Sequence, residues 1–328
     1  MKAIVINQYG DPNQLVIKEI PAPEAAADEL LIKVKAFGIN RAEIYMRKGL
    51  WGEVAEVSGI ECVGEIEHDP SSQLAKGQVV AAIMGGMGRT RNGSYAEYTT
   101  IPSSNVFTLK TSLSWQQLAV IPESYATAWC CLHENMQIKE NDTVFIRGGT
   151  SALGQAAINI ASNINGVTVI SSTRSEANIE LLKDIGCSDV MLEKEGLSEE
   201  LRDKFPKGIE SVMDIVGNTT LLDSLKMVRK GGVVCNAGFI GGGEPISFNP
   251  LMDLPPSVNL NFFASFMLGT AEYPISDIPL QQIVEYSEQG KYRTQPTRVF
   301  AFDDIASAHE LMESDSACGK IVVLIDLE

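Results

Sequence analysis

The alternation of apolar and polar positions changes in character along the chain. Up to about residue 100, short runs rich in β-branched residues are separated by turns and by the Pro21–Pro23 break, a pattern typical of strands. The predicted strands here are Lys2–Ile6, Leu15–Glu19, Glu29–Phe37, Val63–Glu67 and Val79–Ile83. The pattern therefore predicts a β-rich domain at this end of the chain.

From about Asn141, predicted strands and predicted helices alternate. In chain order they are strand Thr143–Arg147, helix Leu153–Ile164, strand Val167–Ser172, helix Glu176–Ile185, strand Asp189–Leu192, helix Ser198–Lys204, strand Ile209–Val216, helix Thr220–Val228, and strands Gly232–Ala237 and Asn259–Ala264. This spacing predicts βαβ units in a doubly wound parallel sheet.

A mixed pattern returns after about Phe266. It predicts helix Leu280–Gln289, strand Tyr292–Phe300, helix Asp303–Glu313 and strand Lys320–Ile325. We therefore predict an α/β protein in which a dinucleotide-binding domain, residues 121–265, is inserted into a β-rich domain formed by residues 1–120 and 266–328.

Charge and composition exclude several classes of partner. The chain carries 42 acidic and 26 basic residues, a net charge of −16, which disfavours nucleic acid and anionic membranes. No apolar run approaches the ~20 residues that span a bilayer, and no export signal is evident. We expect a cytoplasmic protein. None of its six cysteines forms a Cys-x-x-Cys pair, so no zinc ribbon or dithiol redox motif is predicted, and since most lie among apolar residues we expect reduced core cysteines.

The strongest local motif is a glycine-rich turn between a predicted strand and a predicted helix. Glycine permits tight backbone geometry, and a helix N-terminus attracts a pyrophosphate. The spacing departs from Gly-x-Gly-x-x-Gly, so a glycine-rich turn without a ligand is the alternative. The candidate cofactor contacts are Gly148, Thr150, Ser151, Ala152, Leu153 and Gly154.

The end of the second strand of this region indicates which dinucleotide binds. An NAD-binding domain usually has a carboxylate there for the ribose 2′-hydroxyl. This chain has Ser172, Thr173 and Arg174 instead, which favour the 2′-phosphate of NADPH. The alternative is that Arg174 is only a solvated loop residue.

With several motifs elsewhere, these residues resemble the medium-chain dehydrogenase/reductase family, in its zinc-independent, zeta-crystallin-like quinone oxidoreductase branch. The further motifs are Met1-Lys2-Ala3-Ile4, residues 34–41, 59–64 and 93–98, and Gly319-Lys320-Ile321-Val322. The resemblance covers nearly the whole chain. It implies a Rossmann-type domain, a GroES-like catalytic domain and, commonly in this family, a homodimer.

The resemblance also implies that no metal takes part. Zinc-dependent members have a cysteine where Asn40 stands and a histidine where Ile60 stands. The three histidines, His68, His133 and His309, are expected on loop or helix surfaces. Without a metal to polarise a carbonyl, the hydride acceptor must already be electrophilic, as a quinone or an α,β-unsaturated carbonyl compound is.

Candidate catalytic residues follow from the same resemblance. Asn40 and Tyr45 lie in the stretch that faces the nicotinamide in the family, although Tyr45 is equally well interpreted as a packing residue. Related enoyl-thioester reductases have a proton-donating tyrosine just after the glycine of this segment. Here Gly49 is followed by Leu50 and Trp51, and an indole is not a useful acid. Trp51 is therefore a candidate wall of the substrate pocket.

Further cofactor contacts implied by the resemblance follow the later strands, each with the alternative of a plain turn or core residue. They are Thr127, Gly217, Asn218, Gly238, Phe239, Ile240, Phe263, Ser265 and Lys320. The function expected is an NADPH-dependent reductase of quinones or α,β-unsaturated carbonyls. The alternatives are an enoyl-thioester or lipid enone reductase, and a cofactor-binding protein without turnover.

Overall fold

The computed structural model describes residues Met1–Asp326, so the last two residues of the predicted β-rich domain lie outside the described residues. The chain divides into two compact units. The β-rich unit comprises Met1–Glu123, Ser265–Gly290 and the chain from Thr294 onward. The parallel-sheet unit comprises Ser124–Ala264 and Lys291–Arg293. Sequence analysis proposes boundaries at 120/121 and 265/266.

The secondary-structure elements are numbered in chain order. The strands are β1 Lys2–Ile6, β2 Leu15–Glu19, β3 Glu29–Ile39, β4 Glu61–His68, β5 Val79–Ile83, β6 Tyr98–Pro102, β7 Val106–Thr108, β8 Thr143–Arg147, β9 Thr168–Thr173, β10 Asp189–Leu192, β11 Ile209–Asp214, β12 Val228–Asn236, β13 Asn259–Phe262, β14 Arg298–Ala301 and β15 Ile321–Leu324. The helices are α1 Arg41–Arg47, α2 Trp115–Leu118, α3 Pro122–Trp129, α4 Ala152–Ser162, α5 Ile179–Asp184, α6 Leu197–Lys204, α7 Leu221–Leu225, α8 Pro250–Asp253, α9 Leu280–Glu288 and α10 Ile305–Glu313.

The parallel-sheet unit is built on six strands in the order β10-β9-β8-β11-β12-β13. All five neighbouring pairs are parallel. The strand order reverses between β8 and β11, and ligands bind at such a point in open α/β sheets. This is the doubly wound parallel sheet that the strand–helix alternation predicts, and it is of the Rossmann type that the resemblance implies.

The β-rich unit contains a seven-stranded sheet and the β1-β2 hairpin. β3 alternates buried and partly exposed residues along most of its length, because one face covers the core. In that core the Phe37 and Tyr95 rings stack with centroids 4.5 Å apart. The unit has the β-rich, GroES-like architecture that the resemblance implies. Over the described range, Met1–Asp326, no helix has the length and apolarity that crossing a bilayer requires.

Three expectations from the sequence are wrong. The predicted helix Thr220–Val228 ends at Leu225, because β12 already begins at Val228 and pairs with Ile209. The predicted strand Tyr292–Phe300 begins only at Arg298, since Tyr292 stacks instead on Tyr125, with centroids 5.6 Å apart. His309 is fully buried rather than exposed, and its Nε2 lies 3.1 Å from the Tyr95 hydroxyl.

Candidate active site

The glycine-rich turn lies at the carboxyl end of β8, where the strand order reverses. Gly148 has a left-handed φ of +92°, which glycine adopts without strain. Ser151 caps α4: its hydroxyl donates to the Gly148 carbonyl at 2.8 Å and accepts from the Gly154 N–H at 3.0 Å. The first N–H groups of α4 have no partner within the helix and present a positive end to an anion.

Close packing explains the glycines of this turn. A Cβ at Gly154 would stand 2.5 Å from the Gly148 carbonyl oxygen and 2.7 Å from the Gly149 Cα. The backbone of α4 therefore packs directly against the backbone of the turn, with no room for a side chain between them. A Cβ at Gly149 would overlap the hydroxyl of Ser171, which donates to the Ile146 carbonyl at 2.7 Å. Sequence reasoning did not assign a role to Gly149, since Ser171 comes from the next strand. The residues present fit a pyrophosphate held by backbone N–H groups.

The end of β9 holds the three residues expected at the 2′-phosphate. Arg174 is exposed, and the Thr173 hydroxyl donates to the Ser175 carbonyl at 3.2 Å. The Ser172 hydroxyl is buried and donates to the Glu193 carboxylate at 2.7 Å. Sequence reasoning found no carboxylate at this strand end, because Glu193 follows the neighbouring strand β10.

Arg147 neutralises that carboxylate. Its Nε lies 3.1 Å from both Glu193 oxygens, and its Nη1 donates to Asp223 at 2.9 Å and to Ser224 at 3.0 Å. Burial disfavours the charge of Arg147, but the hydrogen bonds that it donates to Glu193 raise its pKa above the ordinary value. The charge near Ser172 is thus balanced by a buried guanidinium, and Arg174 remains the exposed cation at the end of β9.

The later strand ends carry the other expected contacts of the parallel-sheet unit. Gly217 has a φ of +87°, and its N–H donates to the buried Asp214 at 2.8 Å. A Cβ at Gly238 would stand 2.8 Å from the Ile215 carbonyl oxygen. Asn218 Nδ2 donates to the Glu244 carbonyl at 2.5 Å, and the Ile240 N–H donates to the Ile215 carbonyl at 3.3 Å. Phe239 lies beside Gly217. Phe263, which follows β13, and Thr127 on α3 are both buried.

Two residues expected at the cofactor belong to the β-rich unit. Ser265 lines a pocket there, described below. Lys320 is buried, and its Nζ donates to Asn40 Oδ1 at 2.6 Å and to Glu61 Oε1 at 2.5 Å. Its ammonium therefore holds the start of α1 against β4.

Asn40 is the N-cap of α1 and sits at the centre of a buried polar network. Its side-chain amide donates to Glu61 at 2.9 Å and to Glu43 at 3.3 Å, while its backbone N–H donates to Glu43 at 2.9 Å. Glu61 also accepts from the Glu123 N–H at 2.8 Å. Burial raises the pKa of Glu43 to about 8. Sequence reasoning identified Asn40 but missed Glu43 and Glu61, whose burial follows only from the packing of α1 on the sheet.

These residues do not fit a zinc ion. The Asn40 amide is engaged by carboxylates and an ammonium, and Ile60 is a buried aliphatic side chain. Between Met1 and Asp326 no three His, Cys, Asp or Glu side chains are grouped so as to hold a metal. All six cysteines lie within the described residues and none is in a disulfide, and five of them are buried.

A pocket of about 370 Å³, including its part open to solvent, lies within the β-rich unit. Its lining is mostly apolar: Ala42, Met46, Trp51, Ile60, Met84, Gly86, Met87, Arg89, Ser265 and Phe266. Such lining is typical of small-molecule sites. Trp51, expected as a wall from the sequence, is one of the lining residues. Tyr45 is half-buried on α1 and is not one of the lining residues, although Ala42 and Met46 of the same helix are.

Comparison with known proteins agrees with both units. The family described as "Alcohol dehydrogenase GroES-like domain" matches residues 26–111, and the family described as "Zinc-binding dehydrogenase" matches residues 186–323. The quinone oxidoreductase of Mus musculus is 28% identical over 341 residues, 99% of this chain and 98% of its own length. That of Lama guanicoe is 26% identical over 336 residues, again 99% and 98%.

Solved structures share the whole fold. A mycobacterial protein determined in complex with NADPH superposes with a TM-score of 0.86 at 23% identity, covering 99% of this chain and 100% of that one. The CurK enoyl reductase superposes with a TM-score of 0.83 at 22% identity, covering 98% of each chain. Together with the Rossmann-type sheet, the matched families and the full-length relatives identify the chain as an oxidoreductase that belongs to the medium-chain dehydrogenase/reductase family, in its quinone oxidoreductase branch.

Proposed function

We propose that the chain is an NADPH-dependent, zinc-independent reductase of quinones or α,β-unsaturated carbonyl compounds. The observation that carries this proposal is the apolar pocket of the β-rich unit, walled by Trp51 and Phe266 and lacking any group of metal ligands. A flat conjugated acceptor matches aromatic walls. Such an acceptor takes up hydride without a metal, because conjugation spreads the incoming charge onto its oxygen.

NADPH is the proposed cofactor because of the end of β9. Arg174 is exposed there and is suited to the 2′-phosphate, while the nearby Glu193 carboxylate is neutralised by Arg147. The turn before α4 would hold the pyrophosphate through its backbone N–H groups. When bound, the reduced nicotinamide supplies the hydride.

Tyr45 and Asn40 have separate proposed roles. Burial raises the pKa of the Tyr45 phenol above its ordinary value, so the group stays protonated at neutral pH and can donate a proton or a hydrogen bond to the acceptor oxygen. Asn40 is held by Glu43, Glu61 and Lys320, so we assign it the role of fixing the start of α1. The cofactor contacts placed after β11, β12 and β13, with Thr127, Ser265 and Lys320, stay predictions.

The test is oxidation of NADPH and NADH in the presence of a chelator, with 1,2-naphthoquinone, an alkyl enone and an enoyl thioester as acceptors. We expect chelator-resistant turnover with NADPH and poor turnover of the thioester. Turnover of the thioester alone would favour the enoyl reductase. Cofactor binding without turnover on all three would favour the non-catalytic alternative.

Cofactor preference is tested with Arg174→Ala. We expect the Kd of NADPH to rise about tenfold or more, because a charged hydrogen bond to phosphate is lost, while the Kd of NADH stays unchanged. Lys230→Ala, which removes an exposed cation elsewhere in the parallel-sheet unit, is the matched control. Equal losses for NADPH and NADH would contradict the assignment of Arg174.

A further inference from the structure

One charged side chain, Arg89, lines the otherwise apolar pocket. It follows the glycine-rich segment 85–88, in which Gly85, Gly86 and Gly88 all have positive φ. The backbone N–H of Arg89 donates to the Gly86 carbonyl at 3.0 Å and closes this turn. A tight turn therefore brings the guanidinium to the pocket.

The guanidinium lies against two aromatic walls. Its Cζ is 6.0 Å from the ring centroid of Trp51 and 5.5 Å from that of Phe266. Both distances allow a cation–π attraction to the ring faces. These contacts restrict the orientation of the guanidinium and leave its N–H groups available for hydrogen bonds, which they donate in a planar fork.

Among the described residues, no carboxylate forms an ion pair with this guanidinium. The Nε of Arg89 is buried and lacks a hydrogen-bond partner, and no ion pair forms at Arg89 within the described residues. Three other arginines of the β-rich unit are paired: Arg41 with Asp315, Arg47 with Glu313 and Arg91 with Glu29. In a chain with a net charge of −16, an unpaired arginine in a pocket is a marked exception. An anionic group of a ligand in the pocket would compensate this charge.

We propose that Arg89 binds a carboxylate of the substrate, so that the preferred acceptor is an unsaturated carbonyl compound with a carboxylate group. This inference rests on the proposed function and adds the substrate class to it. One guanidinium matches the single charge and the two oxygens of a carboxylate. A phosphate would require further donors, and the lining contains no second cation. Trp51 and Phe266 hold the guanidinium in place, and the apolar lining receives the rest of the acceptor.

The test compares acids with their methyl esters. The probes are 4-oxopent-2-enoate and 4-(3-oxobut-1-enyl)benzoate, which place the carboxylate at different distances from the double bond. For wild type and Arg89→Met we measure kcat/KM for each acid and ester with NADPH. We expect the variant to lose about 10- to 100-fold on at least one acid and less than threefold on its ester. For each pair, the ratio of kcat/KM for the acid to kcat/KM for its ester is compared between wild type and variant. This comparison cancels the intrinsic difference in reactivity between acid and ester.

Two further variants complete the design. Arg89→Lys keeps the charge but not the fork, so it is expected to recover part of the acid turnover. Arg298→Met removes an exposed arginine of the same unit and is expected to leave all ratios unchanged. The proposal would be overturned if Arg89→Met lowered kcat/KM equally for the acids and their esters, or if it left the acid-to-ester ratios of kcat/KM unchanged.

Calorimetric binding of the same acids and esters to the NADP⁺-loaded protein separates this inference from the proposed function. If the esters are turned over and Arg89→Met has no acid-specific effect, the reductase function is retained and the proposed carboxylate site is refuted. Acid-specific binding that Arg89→Met abolishes, without turnover of any acceptor, would retain the carboxylate site and refute the reductase function.

Discussion

Among single residues, Tyr45 is the proposed proton donor to the acceptor oxygen. It is half-buried on α1, next to residues that line the pocket. If it donates a proton, Tyr45→Phe should lower kcat by about 100-fold or more with little change in KM, since the phenol acts only in the transition state. Undiminished turnover would leave Tyr45 as a packing residue.

Glu43 gives a pH-dependent prediction. Burial raises its folded-state pKa from an ordinary 4.5 to about 8, so between these values the unfolded state binds fewer protons than the folded state. Glu43 therefore makes the free energy of unfolding fall as pH rises through this window, by up to about 1.4 kcal/mol per pH unit.

The check is chemical unfolding of wild type and Glu43→Gln between pH 5 and 8. The variant cannot ionise, so its stability should fall less steeply with pH, whatever its absolute stability. Parallel curves for the two proteins would show that Glu43 does not titrate in this range. Glu97→Gln, at a partly exposed carboxylate that accepts from the Lys2 N–H, is a control outside the buried network.

At the scale of elements, the approach of α4 to the turn after β8 depends on Gly154. A Cβ there would meet backbone atoms of Gly148 and Gly149, which cannot swing aside as a side chain can. Gly154→Ala should therefore displace the turn, weaken NADPH binding by at least about tenfold and lower the Tm. At Gly243 no atom lies within 4 Å of a Cβ, so Gly243→Ala is the matched control. Equal NADPH affinity in the two variants would contradict this account.

The strands show where the periodicity of apolar residues predicts the bounds of an element and where it does not. The strands Lys2–Ile6, Val79–Ile83 and Asp189–Leu192 have the predicted bounds, because their apolar runs end at turn residues. Residues 292–297 are predicted as the first part of a strand, yet Tyr292 packs on Tyr125 and the Arg293 N–H donates to Asn159 at 3.3 Å. Contacts with residues more than 130 positions away determine the conformation of this segment, and such contacts cannot be predicted from local periodicity.

At the scale of the whole molecule, the net charge of −16 opposes compactness through self-repulsion. Raising the ionic strength from about 0.01 to 0.15 M shortens the Debye length from about 30 to 8 Å. Because exposed ion pairs contribute only about 0–1 kcal/mol each, screening of the repulsion should dominate. The Tm should rise by a few degrees, equally in NaCl and KCl, in thermal unfolding. A falling Tm would show that surface ion pairs outweigh the repulsion.

The architecture and the position of the glycine-rich turn that is proposed to bind phosphate can be predicted from the sequence. Strand–helix alternation is a local property, and a parallel sheet with right-handed crossovers leaves few ways to connect its units. The turn from Gly148 to Gly154 can likewise be predicted from the sequence, because its glycines and the helix that follows are contiguous in the chain.

The chemistry around the two candidate sites depends on contacts between distant residues that form only in the folded chain. Glu193 reaches Ser172 from the neighbouring strand, and Lys320 meets Asn40 across 280 positions of sequence. Arg89 lies against Trp51 and Phe266, which come from distant segments. The pairing state of a charge depends on which distant side chains share its surroundings, and that is fixed by packing, not by any local pattern of residues.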